Sequence, residues 1–320
     1  MGYSPNGRSP IWVRVTVFAT VATLLLAACG DDTTDDTATI SVVATTTILG
    51  DIARNVVGDN GTVEVLMPIG ADPHDYQASS RQIASLQTAD LVIINGLNLE
   101  EGLDDVLDSL DGDGANILEI TSVIDTIPFG DADADCNMDP EPPEGTCDPH
   151  VWLDPGLMAD AARAIAAELR RLDQRVDWGS GAEHYASELL AADAKIRSIL
   201  EAIPSGNHKM VTSHLAFGYF AARYGFEVIG VVIPGGSTLA EPSSGDLAAL
   251  VDKIKAENVP AIFADITESS DLAEAVAAEV GSEIAVIDLY TGSLGEEGSG
   301  ADTLIGMLVT NAERIAKALS

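Results

Sequence analysis

The chain has 320 residues, with 16 Lys and Arg against 51 Asp and Glu, which gives a formal charge of −35 at neutral pH. This balance excludes a general nucleic-acid binder, which would present a basic surface to the phosphates. Hydrophobic residues make up 46% of the chain, so it can build a core and is not an acidic disordered tail. The acidic surface is consistent either with solubility or with attraction of cations.

The first 28 residues have the composition of an export signal. They contain two arginines and no acid, and Val15–Ala28 is apolar but shorter than the ~18–20 residues that a membrane-spanning helix needs. Leu26–Cys29 resembles a bacterial lipobox, in which the cysteine is lipidated and becomes the new N-terminus. We therefore expect a lipid anchor at Cys29 and an acidic tether over residues 29–38, the alternative being an ordinary cleaved signal.

The remaining two cysteines predict a disulfide. With Cys29 assigned to lipid, Cys136 and Cys147 are left as a pair in an exported chain, where disulfides persist. Two free thiols are the alternative.

Short β-branched runs alternate with amphipathic stretches from Ile40 onward, which predicts an α/β fold with mostly parallel sheets. In chain order the pattern predicts strands at Ile40–Ala44, Val63–Met67, Leu91–Asn95, Asn116–Ile120, Met210–Ser213, Glu227–Val232, Ala261–Ala264 and Ile284–Leu289. It predicts helices at Ile48–Val57, Arg81–Gln87, Leu157–Leu172, Glu183–Ile203, Asp246–Glu257, Asp271–Val280 and Thr303–Leu319. The simplest organisation is an N-terminal lobe over residues 39–180, a linking helix over 181–203 and a C-terminal lobe over 204–320.

Three of the five histidines follow predicted strands or their loops, where α/β sheets usually bind ligands. These are His74, His150 and His214. Neutral imidazole is a strong ligand of Zn²⁺, and three imidazoles from separate loops can occupy three corners of a tetrahedron. His184 and His208 are interpreted as surface or structural histidines.

The joint pattern resembles the substrate-binding lipoproteins of bacterial zinc and manganese ABC transporters. The matching segments are Gly70–Tyr76, His150–Pro155, Thr212–Phe220, Glu241–Ser243 and Gly292–Gly298 with Asp302 and Thr303. The resemblance runs in register from about Ile40 to Ser320. It implies two Rossmann-like lobes joined by one long rigid helix, with a metal in the cleft held by His74, His150 and His214.

The resemblance also bears on the choice of metal. A glutamate at the position of His214 is associated with manganese in this family and a histidine with zinc, so we expect Zn²⁺ as the transported ion and Mn²⁺ as the alternative. The family's acidic fourth ligand corresponds to Gly292, which has no side chain. Asp288, on the same strand face, is the first candidate replacement; Asp265, Glu268 or a water molecule are the others.

The function that follows is an extracytoplasmic zinc receptor, lipid-anchored on the outer face of the cell membrane or periplasmic, that delivers the ion to an ABC permease with its ATPase. We expect a monomer with no nucleic-acid partner. An open three-histidine zinc enzyme is a function of another class, but no general base or His-Glu-x-x-His motif supports it. A surface adhesin is a further alternative, for which no separate motif argues.

Overall fold

A computed structural model, which describes residues 39–130, 135–136, 145–281 and 284–320, contains two four-stranded parallel sheets. The strands are β1 (Ile40–Ala44), β2 (Gly61–Val65), β3 (Leu91–Ile94), β4 (Ile117–Glu119), β5 (Lys209–Thr212), β6 (Glu227–Val231), β7 (Ala261–Asp265) and β8 (Ala285–Leu289). The α-helices of the described residues are α1 (Thr47–Val57), α2 (Ser80–Thr88), α3 (Asp104–Gly112), α4 (Pro155–Leu172), α5 (Trp178–Leu200), α6 (Gly218–Tyr224), α7 (Ser244–Glu257), α8 (Asp271–Val280) and α9 (Leu304–Leu319). The predicted two-lobe α/β fold is confirmed.

Both sheets have the same strand order. The first runs β2-β1-β3-β4 and the second β6-β5-β7-β8, and the paired strands are parallel throughout. In each sheet the order reverses between the two central strands, and ligands of open α/β sheets bind beside the carboxyl ends of such strands. In the second sheet, β5 is followed two residues later by His214, and its neighbour β7 ends in Asp265.

Helix α5 packs against α1, α4 and α9, and so contacts helices of both lobes. Its 23 residues span about 34 Å at about 1.5 Å per residue. The helix begins at Trp178, five residues before the predicted Glu183, because buried Trp178 anchors its first turn with Nε1 donating to the Asp173 carbonyl at 2.8 Å. It ends at Leu200, ahead of Pro204. The predicted domain boundaries, including the linking helix at 181–203, stay predictions.

The core extends across both lobes. One buried apolar cluster combines residues of β1, β3, α1, α4 and α5 with residues of β7, α6 and α9. Smaller clusters lie on the outer face of each sheet. Within the described residues, no helix is long and apolar enough to cross a membrane. The predicted signal at 1–28, the Cys29 anchor and the tether at 29–38 lie outside the described residues.

Candidate metal centre

Three histidines from three separate loops converge at the cleft between the sheets. His74 lies in the loop after β2, His150 immediately precedes a short 3₁₀ helix at Val151–Leu153, and His214 follows β5. Their ring centroids are 5.6 Å (His74–His150), 5.7 Å (His74–His214) and 5.0 Å (His150–His214) apart. One nitrogen from each ring lies within 4.8 Å of the others, and all three side chains are buried.

The same tripeptide, Asp-Pro-His, positions two of these rings. The Asp72 carboxylate accepts the backbone N–H of His74 at 3.0 Å, and the Asp148 carboxylate accepts that of His150 at 2.9 Å. In both turns the intervening proline fixes its own backbone angle while the aspartate hydrogen-bonds two residues ahead. The two loops therefore direct their histidines by one local mechanism.

Carboxylates next to the Nδ1 atoms favour Nε2 as the free nitrogen. Asp148 Oδ1 lies 2.7 Å from His150 Nδ1 and also accepts the His150 backbone N–H, so the ring donates its Nδ1 proton to this oxygen. Glu101 Oε1 lies 3.3 Å from His74 Nδ1, and His74 Nε2 is buried with no hydrogen-bond partner among the described residues. Metal-binding histidines usually donate their other ring N–H to a carboxylate or carbonyl in this way, which leaves the Nε2 lone pair for the ion.

Each ring nitrogen of His214 lies close to another side chain. Its Nε2 lies 3.2 Å from Nε2 of His150, and its Nδ1 lies 3.2 Å from Oε1 of Glu268. The second contact lacks hydrogen-bond geometry, so within the described part of the chain His214 Nδ1 and Glu268 Oε1 are both buried without a hydrogen-bond partner. Together with Asp265 they form a second group of potential metal ligands, with one atom from each residue within 4.8 Å of the others.

Burial keeps the imidazoles neutral. It lowers the pKa of His150 well below the ordinary value, and the neighbouring His214 and His74 lower it further. Burial also lowers the pKa of His74, with His214 contributing. In the opposite direction, burial raises the pKa of Asp148 well above its usual range and that of Asp265 to about 6. Neutral imidazoles retain the lone pairs that a cation requires.

The predicted fourth ligand, Asp288, is not brought to the histidines. It is exposed on β8, at the edge of the second sheet, and belongs to neither group of potential ligands among the described residues. The alternative acids Asp265 and Glu268 lie beside His214. Gly292 packs against the first lobe, where an added Cβ would lie 2.7 Å from Cδ of Pro73.

A cavity of about 300 Å³ opens beside His74. It is lined by His74, Glu101, Phe129 and Gly236 together with Cys147 and other residues of the loop that precedes His150. The predicted disulfide is confirmed: Cys136 and Cys147 are bonded, with their Cα atoms 5.8 Å apart. The disulfide therefore fixes one wall of this cavity.

The remaining two histidines lie away from the cluster. His184 is exposed on α5, with Nε2 3.7 Å from a Glu188 oxygen, and His208 packs edge-on against Phe226. The carboxylates of Glu101 and Asp148 were not among the site residues predicted from the sequence. For Asp148, the repeated Asp-Pro-His tripeptide was an available signal.

Comparison with known proteins identifies the family. The family described as ZnuA, zinc-uptake complex component A periplasmic, matches residues 42–318. The manganese-binding lipoprotein MntA of Bacillus subtilis is 32% identical over 308 residues, covering 93% of this chain and 96% of the relative. The zinc-binding protein TroA of Treponema pallidum is 30% identical over 285 residues, covering 87% and 88%. A solved structure of the periplasmic zinc-binding protein TroA has a TM-score of 0.77 at 29% identity and covers 87% of this chain and 98% of that one.

The family match spans nearly all of the described chain, and its members are substrate-binding receptors of ABC transporters rather than enzymes. The relatives include lipoproteins named for manganese and proteins named for zinc. The chain therefore belongs to the ZnuA family and is a metal-binding receptor of an ABC transporter.

Proposed function

We propose that the transported ion is Zn²⁺, bound by Nε2 of His74, His150 and His214. The observation that carries the proposal is the 3.2 Å separation of Nε2 of His150 from Nε2 of His214. Beside them, the buried Nε2 of His74 has no hydrogen-bond partner in the part of the chain that the structure describes. Zn–N bonds of 2.0–2.1 Å at tetrahedral angles hold neighbouring nitrogens about 3.3 Å apart. The rings of His150 and His214 thus need little movement to accept the ion.

The donor set supports zinc over manganese. Three neutral imidazoles suit Zn²⁺, whereas Mn²⁺ prefers carboxylate, carbonyl and water oxygens. The fourth corner is assigned to water, because Gly292 has no side chain and Asp288 is exposed. Asp265 and Glu268 belong to a separate group of potential ligands, with Glu268 on the Nδ1 side of His214. With water as the fourth ligand, the receptor has three protein–metal bonds to break on release of the ion instead of four.

Delivery completes the proposed function. The chain, anchored through a lipid on Cys29 at the outer face of the membrane, passes Zn²⁺ as a monomer to a permease driven by an ATPase. The lipobox-like Leu26–Cys29 and the lipoproteins among its relatives support the anchor. We place the entry of the ion at the cavity beside His74, which His74 and Glu101 line.

Metal competition on the full-length chain tests the proposal. We expect one Zn²⁺ per chain. His150→Ala should reduce the affinity about a hundredfold or more, since the loss of a ligand exceeds the 10–100-fold effect of losing a residue that only hydrogen-bonds to a ligand. His184→Ala is the matched control, because this histidine is exposed on α5. His214→Glu should shift the preference towards Mn²⁺. A wild-type chain that prefers Mn²⁺, or a zinc affinity unchanged in His150→Ala, would contradict the proposal.

A further inference from the structure

The second ligand group, on the opposite side of the His214 ring, has its own donor set. It consists of Nδ1 of His214, which is buried, and the carboxylates of Asp265 and Glu268, at and just beyond the end of β7. The loop between the two acids contributes Oγ1 of Thr267, which is buried beside the Asp265 carboxylate. Neither acid forms an ion pair with Lys or Arg in the described part of the chain, and the charges that act on Asp265 are those of His214 and Glu268.

The geometry at His214 Nδ1 is that of two ligand atoms around a shared ion. The Nδ1 to Oε1 distance is 3.2 Å, yet the oxygen lies off the direction in which a ring N–H would donate. Two atoms bound at about 2.1 Å to one cation, at angles of 90–110°, are separated by about 3.0–3.4 Å and lie off each other's axis. Burying two such acceptors without a positive partner is costly.

The tautomer of His214 connects the two groups. Nε2 of His150 offers a lone pair, because its Nδ1 proton is donated to Asp148. Nε2–H of His214 can therefore donate to it across 3.2 Å, which leaves the lone pair of His214 on Nδ1, facing Glu268. A neutral imidazole has one lone pair, so it can bind an ion at Nε2 or at Nδ1 but not at both.

From this arrangement we infer a second cation position, formed by Nδ1 of His214, Asp265 and Glu268, that takes a divalent ion preferring oxygen ligands and competes with the three-histidine position. The inference rests on the proposed function for the identity of the first position. One nitrogen with carboxylate and hydroxyl oxygens suits Mn²⁺ better than an all-nitrogen set does. The chain thus holds two donor sets of different chemistry on one shared ring.

The test measures the binding of Mn²⁺ alone and Zn²⁺ alone to the full-length chain and four variants. Glu268→Gln and Asp265→Asn keep the side-chain shape and should weaken Mn²⁺ binding at least about tenfold but Zn²⁺ binding less than about threefold. His150→Ala should do the reverse. Glu313→Gln, an exposed acid on α9, is the matched control for loss of one negative charge and should change neither. Thermal unfolding of each metal-free variant verifies that it is folded.

Stoichiometry supplies the second measurement. Saturating Zn²⁺ should displace bound Mn²⁺, with the total remaining at one ion per chain. The inference is overturned if both ions bind together, if Glu268→Gln leaves Mn²⁺ binding unchanged, or if Glu268→Gln weakens both ions equally, since the carboxylate then only orients the ring. A different result would contradict the proposed function: His150→Ala would leave the Zn²⁺ affinity unchanged, whatever effect Glu268→Gln has on the Mn²⁺ affinity.

Discussion

Replacing Asp265 by Asn should stabilise the metal-free protein at neutral and alkaline pH. Burial raises the pKa of Asp265 from 3.8 to about 6, so above pH 6 the folded chain holds a carboxylate whose charge is poorly solvated. A rise of this size corresponds to about 3 kcal/mol, at about 1.36 kcal/mol for each tenfold change in proton affinity. Asn removes the charge, and its side-chain oxygen can still accept the backbone N–H of Thr267, as Asp265 does at 3.0 Å.

The pH dependence follows from the direction of the shift. Because the folded pKa is the higher one, stability is fully present below pH 3.8 and is lost as the pH rises towards 6. The variant and the wild type should therefore differ little at pH 4 and by about 3 kcal/mol at pH 8. Urea unfolding at both pH values, with chelator present, measures the difference. Asp288→Asn, on the exposed face of β8, is the control for a general loss of charge.

Equal unfolding free energies for wild type and Asp265→Asn at pH 8 would refute this reasoning. The same stabilisation at pH 4 and pH 8 would also refute it, because the gain would then not come from the charge. Excess Mn²⁺ should reverse the sign of the difference if Asp265 ligates this ion, since binding to the folded state adds stability.

Three further predictions concern the same site. Asp148→Asn should weaken Zn²⁺ binding about 10–100-fold, because His150 loses the acceptor that fixes its tautomer. Competition with a chelator measures the affinity, and a change below threefold would count against this role of Asp148. Replacing Cys136 and Cys147 by Ser should lower the free energy of unfolding by about 3 kcal/mol, by the chain-entropy relation for an 11-residue separation. Urea unfolding of the variant and of the oxidised wild type measures the difference, and unchanged stability would contradict the structural role of the disulfide. Zinc affinity should fall only below pH 6.5, the ordinary imidazole pKa. Burial lowers the pKa values of His74 and His150, so protons compete with zinc for their nitrogens only at lower pH. Measuring the zinc affinity between pH 5 and 8 checks this expectation, and a decline that begins above pH 6.5 would contradict it.

Alternating apolar patterns predicted most of the fold. Strand β1 and helix α8 have the predicted bounds, and most other elements differ from prediction by one to three residues at an end. Helices α3 and α6 were missed. The seven residues of α6 hold too few turns for a clear apolar stripe, and α3 has nine residues, as does α2, which was predicted. The early start of α5 was missed because Gly179 and Gly181 disfavour a helix locally, whereas burial of Trp178 overrides that preference.

The candidate site was predictable in part. Sequence reasoning identified the three histidines because each lies in a recognisable motif. Glu101 could not be assigned to His74, which is 27 residues away in the chain, because the fold alone brings their side chains together. Asp288 was the predicted fourth ligand because strand alternation gives the face of a residue. Alternation does not give the distance to a site outside the sheet, and β8 is an edge strand whose Asp288 faces solvent.

Gly292 lies where the family has an acidic fourth ligand, and it also lies at a contact between the two lobes. The segment around it is bound to the first lobe on both sides: Trp152 Nε1 donates to the Thr291 carbonyl at 2.8 Å, and Ser293 Oγ accepts the backbone N–H of Gly70 at 2.8 Å. Between these bonds the chain passes so near Pro73 that a Cβ at 292 would lie 2.7 Å from the proline ring. An acid at 292 would therefore require a shift of Pro73, the residue next to His74. The present approach of the lobes thus conflicts with a side chain at 292, and this conflict supports the proposal that water is the fourth ligand of the three-histidine position.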